Sequence, residues 1–254
     1  MKRIIKNLIK NKIPLNSYNY DLNLDEKSHI MQGGIYTKYH SSISKISFNE
    51  LCILFRTDKG SMYENIVYDY KKKKYVKSLI VGHNYGRYYE KFNKKNIKNI
   101  IEIGSFLGCG TAALKIFFHK AKIYALDISF EGNFVNSKKI KKIYLDQSNK
   151  SELKNFVNKY KIKKNIDLIS EDGSHVDDHI LISFETLFFC LKKGGKYFIE
   201  DVTKELTPKT YKIFITNKAK IFSGIKSIKI FKSDICSNTQ SQSKQRYLII
   251  IEKS

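Results

Sequence analysis

The stretch Asn165–Asp201, NIDLISEDGSHVDDHILISFETLFFCLKKGGKYFIED, decides the fold class of this chain. It opens with a short apolar run, Ile166–Ile169, which leads into a polar cluster, Glu171–His175. Apolar residues then recur at helical spacing over Ile180–Leu191, and a second apolar run follows at Lys196–Ile199. A helix between two short apolar strands predicts a β-α-β unit, in which the two strands run parallel.

Both predicted strands of this unit end in acidic residues. Glu171 and Asp172 follow the first strand, with His175 close behind, and Glu200 and Asp201 follow the second. Parallel strands bring their carboxyl ends to one edge of a sheet, where open α/β sheets bind ligands. The sequence therefore predicts a functional site at this edge.

A glycine-rich turn lies upstream of this unit. The apolar run Asn99–Ile103 predicts a buried strand, Gly104–Thr111 (GSFLGCGT) follows it, and Ala112–His119 has a helical pattern. Glycines allow the backbone to approach a ligand closely at a helix N-terminus. The GxxxGxG spacing differs from the GxGxxG of a dinucleotide fold and from a P-loop.

Polar groups also end the next two predicted strands. Lys122–Leu126 ends at Asp127, where an acid can accept the hydroxyls of a ribose. Lys142–Leu145 ends at Asp146 and Gln147, which suit an adenine edge. The alternative is that these acids only cap helices, but four successive strand ends with polar groups favour a nucleoside site.

Composition bounds the remaining possibilities. Lys and Arg number 47 against 24 Asp and Glu, which gives a net charge of +23. The lysines are spread along the chain, as an AT-rich genome would produce, whereas a nucleic-acid footprint clusters on one face. The densest run, Lys71–Lys74, is typical of a solvated loop. A basic surface would still help to recruit an anionic substrate.

Cysteine usage and hydropathy favour a reduced, cytoplasmic protein. The four cysteines have no CxxC spacing, so they indicate neither a zinc site nor a disulfide framework. The start, Met1–Ile13, has interleaved lysines and predicts a short basic helix rather than a signal peptide. No apolar stretch is long enough for a membrane span.

The flanking segments predict one elaborated domain. Ser47–Glu50 resembles a capping box at the start of a helix. The tyrosine- and lysine-rich segment Ser61–Ile80 predicts an insertion or a mobile loop. Near the C-terminus, Ser227–Phe231 and Arg246–Ile251 predict two strands joined by a polar loop, Ser233–Gln245.

These motifs together resemble a known family. Ile101–Gly104 with Gly108 and Gly110 resembles the first motif of class I S-adenosylmethionine-dependent methyltransferases. A larger set resembles the metal-dependent sugar O-methyltransferases typified by the macrocin and mycinamicin enzymes, with cephalosporin-hydroxylase-like proteins as relatives. The residues that carry this second resemblance, within about 55–205, are Thr57–Gly60, Tyr89–Glu90, Asp146–Gln147, Glu171–His175, Phe184, Gly194–Gly195 and Glu200–Asp201.

The resemblance implies a fold and two cofactors. The fold would be α/β and Rossmann-like, a seven-stranded, mostly parallel sheet with an antiparallel C-terminal strand and an N-terminal helical extension. Residues 1–95 would form the extension that covers substrate and cofactor, and residues 96–254 the S-adenosylmethionine-binding catalytic domain. The second cofactor would be Mg²⁺ or another divalent cation, since hard oxygen ligands suit it.

The resemblance also implies roles for individual residues. His175 would be the general base, assisted by Asp172, and the metal ligands would be Asp172, Glu200 and Asp201. Tyr85, Tyr89 and His179 would contact the acceptor. The S-adenosylmethionine pocket would use Thr57, Lys59, Glu102, Gly104, Ser105, Gly108, Asp127, Ile128, Asp146, Gln147, Glu171 and Asp172.

Two positions depart from the family pattern. The family's DDGSH is EDGSH in this chain because Glu171 replaces the first aspartate, and Leu145 replaces the glycine before Asp-Gln. The ligand aspartate, Asp172, is kept. Leu145 would reshape the adenine side of the pocket.

The resemblance implies a small-molecule acceptor. We expect a sugar, nucleotide-linked or within a surface polysaccharide or natural product, with no nucleic acid, no membrane span and a possible homo-oligomer. The alternatives are a catechol-type O-methyltransferase, an RNA methyltransferase that exploits the positive charge, and a degenerate, non-catalytic relative.

Overall fold

The computed structural model describes residues 22–23, 47–55, 57–69, 71–130, 135–203, 207–221, 224–234 and 245–254. Within these ranges the chain forms strands and helices in the following order. They are β1 (Leu22–Asn23), α1 (Phe48–Phe55), β2 (Met62–Asp69), β3 (Lys74–Val81), α2 (Gly86–Tyr89), β4 (Asn99–Ile103), α3 (Cys109–Phe117), β5 (Lys122–Asp127), β6 (Val135–Asn136), β7 (Ile140–Tyr144), α4 (Lys150–Tyr160), β8 (Ile166–Glu171), α5 (Asp177–Leu187), β9 (Leu191–Val202), α6 (Thr207–Ile221), β10 (Ile225–Lys232) and β11 (Tyr247–Lys253).

Seven strands form the central sheet, in the order β10-β11-β9-β8-β4-β5-β7. The strands β9, β8, β4, β5 and β7 pair in parallel, and β11 pairs antiparallel with both β9 and β10. The predicted fold class is therefore confirmed. The parallel register places the carboxyl ends of β4, β5, β8 and β9 along one edge.

Each face of the sheet has its own hydrophobic cluster. Adjacent residues of β4 point to opposite faces, so Ile100 lies in one cluster and Ile101 in the other. Helices α1 and α3 cover the first face, and α4 and α5 cover the second. Because helices cover both faces, all six residues of β8 are buried, as expected for a parallel sheet.

The predicted helix start at α1 is confirmed. The Ser47 backbone N–H and hydroxyl both donate to Glu50 Oε2 at 2.9 Å, and the Glu50 N–H donates to Ser47 Oγ at 3.1 Å. This reciprocal pairing is a capping box. The helix then packs Phe48 and Leu51 into the same cluster as Ile100. The predicted domain division at residue 95 stays a prediction.

Of the two alternatives predicted for Ser61–Ile80, an insertion or a mobile loop, the loop is wrong. The segment forms an antiparallel hairpin, β2–β3, with a register that runs from Met62 opposite Val81 to Asp69 opposite Lys74. Tyrosine, valine and isoleucine recur on both arms, and such residues favour strands. The run Lys71–Lys74 is exposed at the tip, as predicted.

The predicted helix over Ile180–Leu191 ends too late in the sequence-based assignment. Helix α5 ends at Leu187, a 3₁₀ turn covers Phe188–Cys190, and β9 already begins at Leu191. A short apolar run has the same appearance in a buried helix and in a buried strand. Pairing of Leu191 with Ile166 of β8 decides the matter in favour of the strand.

Several sequence-based expectations fall outside the described residues. They are the basic helix at Met1–Ile13, most of the polar loop Ser233–Gln245, and Cys236. Cys190 is fully buried, as expected for a small core residue. The helices in the described part of the chain are each too short or too polar to cross a bilayer.

Two segments that flank the hairpin are joined backbone to backbone. We call residues 58–61 and 82–86 the clasp. The Gly82 N–H donates to Ser61 O at 2.9 Å, and the Gly86 N–H donates to Lys59 O at 2.8 Å. Between them, the His83 N–H donates to the Asp58 carbonyl at 2.7 Å. The clasp therefore brings residues that are more than twenty positions apart to one place.

Replacing Gly82 with alanine is expected to loosen the clasp. A Cβ at Gly82 would lie 2.2 Å from the Gly60 carbonyl oxygen and 2.6 Å from that of Asp58. The resulting displacement should lower the free energy of unfolding by roughly 1–3 kcal/mol, measured by urea denaturation. Lys154→Ala is the control, because Lys154 is an exposed residue of α4 and does not belong to the clasp. A Gly82→Ala protein no less stable than that control contradicts the clasp.

Candidate active site

A buried lysine lies at the centre of the carboxyl edge. The Lys59 ammonium is 2.5 Å from Asp172 Oδ2, after β8, and 2.8 Å from Glu200 Oε2, in β9. The lysine side chain is only 2% exposed. Burial lowers its pKa, but the carboxylates of Asp172 and Glu200 outweigh burial and hold that pKa well above the usual lysine range. The lysine is therefore charged.

Glu200 points into the protein. Its Oε2 accepts from Lys59, and its Oε1 accepts from the Tyr89 hydroxyl and from Ser170 Oγ. Glu200 is 1% exposed and Tyr89 is fully buried. Burial raises the pKa of Glu200, and Lys59 opposes that rise. The placement of Tyr89 behind Glu200 differs from the acceptor contact predicted for it.

Asp201 faces the clasp. The Tyr85 hydroxyl donates to Asp201 Oδ1 at 2.8 Å, and His83 Nε2 lies 3.4 Å from the same oxygen. The His83 ring stacks on Tyr85 with centroids 5.3 Å apart. Tyr85, predicted to contact the acceptor, thus lies at the site, where its hydroxyl holds Asp201.

His175 lies on the turn that follows β8. Its Nε2 is 3.9 Å from Asp172 Oδ1, and its side chain is 37% exposed. Its backbone is left-handed, with φ of 55°, a conformation in which histidine and asparagine are enriched among non-glycine residues. The turn therefore presents the imidazole to solvent beside the acid.

Two sets of side chains in the described residues could hold a cation. Asp172, His175 and Asp201 form one, and Asp58, His83 and Asp201 form the other, with ligand atoms within 4.8 Å of one another. Carboxylate oxygens dominate both sets, which suits Mg²⁺ or Mn²⁺. The donors present therefore fit a divalent ion. The structure brings Asp172 and Asp201 together as predicted, whereas Glu200 is turned towards Lys59.

Asp58 and His83 were missed by the sequence-based site prediction. Asp58 keeps 42% side-chain exposure at the mouth of the clasp. Surrounding protein, together with Asp172 and Asp201, raises the pKa of Asp58 to about 6. The only signals in the sequence were the place of Asp58 within the Thr57–Gly60 motif and the position of His83 two residues before Tyr85. Thr57 itself is buried beside the clasp, at 7% exposure.

The glycine-rich turn lies beside the acids. Gly104 has φ of 78°, and a Cβ there would lie 2.1 Å from the Asp172 carbonyl oxygen. This close approach requires glycine and ties the turn to the acidic strand end. Gly108, with φ of 81°, is the N-cap of α3 and provides no side-chain cap. The first N–H groups of α3 are thus directed at this edge.

The other residues predicted at the cofactor line the same edge or support it from below. Asp127 accepts from the Phe106 N–H at 2.7 Å, and the neighbouring Ile128 is 74% exposed. Glu102 lies beneath the turn, where it accepts from the Thr111 hydroxyl. Burial raises the pKa of Glu102 to about 7, with Lys59 opposing. Ser105 is buried in the same turn.

Gln147 and Glu171 form a buried brace. Gln147 Nε2 donates to Glu171 Oε1 at 2.6 Å, and Gln147 Oε1 accepts from the Ser174 N–H at 2.8 Å. The Tyr197 hydroxyl donates to Glu171 Oε2 at 2.5 Å. Burial raises the pKa of Glu171 to about 8. This brace fixes the turn that carries Asp172 and His175, a placement that differs from the cofactor contact predicted for its two members.

Asp146 and His179 lie at the margin of the site. Asp146 Oδ1 accepts from the Ser148 N–H at 2.8 Å and from the Ser148 hydroxyl at 2.7 Å, and these donors lower the pKa of Asp146. His179 Nδ1 is 3.0 Å from Ser174 Oγ. The predicted roles of both residues remain predictions.

Comparison with known proteins places this geometry in context. No protein-family model matches the chain. The chain is 29% identical over 126 residues to demethylmacrocin O-methyltransferase of Streptomyces fradiae and to mycinamicin VI 2''-O-methyltransferase of Micromonospora griseorubida, matches that cover 47% of this chain. Those matches span less than a third of either relative, 31% and 30%.

A solved structure extends the likeness over most of the chain. MycE methyltransferase from the mycinamycin biosynthetic pathway, in complex with Mg and SAH, aligns with a TM-score of 0.58 at 18% identity. The alignment covers 88% of this chain and 59% of MycE. The chain has the fold of this methyltransferase. The resemblance predicted from the motifs is therefore confirmed, in sequence by the two relatives and in fold by this structure.

Proposed function

We propose that the chain is an S-adenosylmethionine-dependent, divalent-metal-assisted O-methyltransferase that acts on a sugar hydroxyl. The observation that carries the proposal is the meeting of two sets of groups at one sheet edge. Asp172, His175 and Asp201 form the first set. The turn from Gly104 to Gly108, with Asp127 on the next strand, forms the second. One set suits an ion and an acceptor, and the other suits a nucleoside.

The methyl donor would lie over β4 and β5. S-adenosylmethionine, when bound, supplies a methyl group on a sulfonium, which is already a strong electrophile. The protein has to align it, a proximity effect. Gly104, Ser105 and Gly108 would pass close to the donor, Asp127 would accept from its ribose, and Ile128 would cover its base. The half-buried position of Asp127 and the exposed position of Ile128 at the edge support these assignments.

The ion would be held by Asp172 and Asp201, with Glu200 behind them. Mg²⁺, when bound, binds oxygen and favours the ionised form of a hydroxyl. Asp58 and His83 lie close enough to Asp201 to offer further ligand atoms to an ion bound there. Tyr85 holds Asp201 in place through its hydroxyl. These residues would orient two neighbouring hydroxyls of a sugar.

His175 would take the proton from the acceptor hydroxyl. An imidazole can accept a proton near neutral pH. Its exposed ring supports this role, because a base must reach the acceptor, and Asp172 lies beside the ring to orient it. The buried brace of Gln147 and Glu171 would keep the ring in that position.

The relatives support a sugar acceptor. A third relative, 29% identical over 94 residues, is named 8-demethyl-8-alpha-L-rhamnosyl tetracenomycin-C 2'-O-methyltransferase, from Streptomyces olivaceus. The match covers 37% of this chain and 24% of that protein. MycE has been solved with Mg, SAH and mycinamycin VI together. These names support a hydroxyl on a glycosylated natural product or a related sugar as the acceptor.

An acceptor screen tests the proposal. S-adenosylhomocysteine formation would be measured with nucleotide-sugars, glycosylated natural products, catechols and RNA, each with Mg²⁺. The proposal expects turnover with sugar diols and none with RNA. Turnover confined to catechols or RNA would replace the sugar with that acceptor class.

The hairpin is a candidate for acceptor selection. Because the Gly82 N–H already bonds Ser61 O, replacing Met62–Val81 with a two-residue Asn-Gly turn should preserve the clasp. We expect the shortened protein to retain ion and cofactor binding but to lose affinity for its acceptor, since loops at such edges select ligands. Calorimetric titration of each ligand checks this. An unchanged affinity for the acceptor would show that the hairpin does not take part in acceptor binding.

A further inference from the structure

Lys59 is a buried charge inside the acidic cluster. Its ammonium contacts Asp172 and Glu200 directly and is shielded from solvent. Removing an ion from water is costly unless it is closely paired. The carboxylates of Asp172, after β8, and Glu200, in β9, provide that pairing. The ammonium is therefore a fixed positive charge at a place where the acids would otherwise attract a cation.

We propose that Lys59 is a built-in counter-ion that holds the acidic cluster together and weakens its affinity for a divalent cation. The inference rests on the metal site of the proposed function. It makes Lys59 a positioning residue rather than a contact of the methyl donor. Its consequence is that ion binding is moderate and reversible.

The two oxygens of Asp172 have different neighbours. Oδ2 accepts from the Lys59 ammonium at 2.5 Å, while Oδ1 lies 3.9 Å from His175 Nε2. Glu200 is arranged similarly, with Oε2 on Lys59 and Oε1 on Tyr89. The ammonium therefore occupies one oxygen of each acid and leaves Asp172 Oδ1 on the side of Asp201 for an ion.

The lysine is fixed along its whole length. Its carbonyl accepts from the Gly86 N–H at 2.8 Å within the clasp. Its Cε passes so close to α3 that a Cβ at Gly110 would lie 3.0 Å away. The ammonium is thus held from both ends of the side chain. It has little freedom to move aside when a cation arrives.

The direction in which Lys59 changes the affinity for a divalent ion follows from its charge and from thermodynamic linkage. Asp58, Asp172, Glu200 and Asp201 crowd this edge, so the ion-free cluster is held together by Lys59. A divalent ion at Asp172 would lie close to the ammonium and be repelled by it. Removing the ammonium must therefore destabilise the ion-free protein more than the ion-bound one. By linkage, the same change tightens ion binding.

The experiment replaces Lys59 with methionine in the full chain. Mn²⁺ binding would be followed by the electron paramagnetic resonance signal of free Mn²⁺, and thermal unfolding would be recorded with EDTA and with Mg²⁺. Lys115→Met is the matched control, because Lys115 is also buried, at 7% exposure, but its ammonium bonds the His119 carbonyl. Lys59→Gln is a second neutral variant, should the methionine protein fail to fold.

We expect Lys59→Met to bind Mn²⁺ about tenfold more tightly than the wild type. Its unfolding temperature in EDTA should fall further than that of Lys115→Met, and Mg²⁺ should restore much of the loss. Unchanged or weaker Mn²⁺ binding in both Lys59 variants overturns the inference. If the wild-type protein binds no Mn²⁺, or if Asp201→Asn leaves its Mn²⁺ binding unchanged, the proposed metal site itself is overturned.

Discussion

Replacing Asp172 with asparagine is expected to lower kcat/KM at least about 10²-fold, because a bound cation contributes several kcal/mol to catalysis of this kind. The amide keeps the shape of the side chain but removes the charge that faces both Lys59 and the His175 side of the site. The loss should appear with saturating Mg²⁺, in an assay of S-adenosylhomocysteine formation.

The control for this variant is Asp178→Asn. Asp178 is an exposed acid in the first turn of α5, only six residues further along the chain. It shares the charge and the neighbourhood but does not belong to either set of candidate ligands. Equal losses in the two variants would point to a general electrostatic effect rather than to a metal ligand at Asp172.

Replacing His175 with asparagine is expected to lower kcat by about 10²–10⁴-fold, the usual contribution of a general base. Asparagine tolerates the left-handed backbone that His175 adopts, with φ of 55°. The turn should therefore keep its shape, and the Kd for S-adenosylhomocysteine should change little. Stopped-flow or steady-state kinetics together with calorimetry separate these quantities.

His119→Asn is the control for the histidine variant. His119 lies just beyond the C-terminal end of α3, away from the carboxyl edge, and its replacement should leave kcat unchanged. A His175→Asn protein with wild-type kcat would remove His175 as the base. His83, beside Asp201, would then be the next residue to test.

The sheet was predictable because its strands are buried on both faces. Runs such as Asn99–Ile103 and Ile166–Ile169 are mostly apolar, and each is followed by a polar or glycine-rich turn. A short apolar run that ends in a turn has few possible structures other than a buried strand. The convergence of Asp172 and Asp201 followed from the parallel register of β8 and β9.

The clasp and the hairpin were not predictable in the same way. The clasp depends on backbone hydrogen bonds between Asp58–Ser61 and Gly82–Gly86, which leave no periodic pattern in the sequence. The hairpin between them places Lys59 and His83 more than twenty positions apart in the sequence. Tertiary contact alone shows that Lys59 belongs to the acids and that Tyr89 lies behind Glu200.

The partner of each buried acid was also beyond the sequence. Glu102, Glu171 and Glu200 all lie at or near the ends of predicted strands, and the family resemblance assigns the first two to the cofactor and Glu200 to the metal. In the structure each accepts hydrogen bonds from protein donors, among them Thr111 for Glu102 and Tyr197 for Glu171. The side chains of these three acids point into the protein, whereas those of Asp172 and Asp201 point towards the crevice.

The most direct test of the account is a crystal structure with Mn²⁺ and S-adenosylhomocysteine, using the anomalous signal of manganese. We expect one strong anomalous peak between the carboxylates of Asp172 and Asp201, with the cofactor over Gly104 and Asp127. A cofactor bound there without any peak at the two aspartates would contradict the metal-assisted mechanism. A peak at those aspartates with the cofactor elsewhere would contradict the division of the edge into donor and acceptor sides.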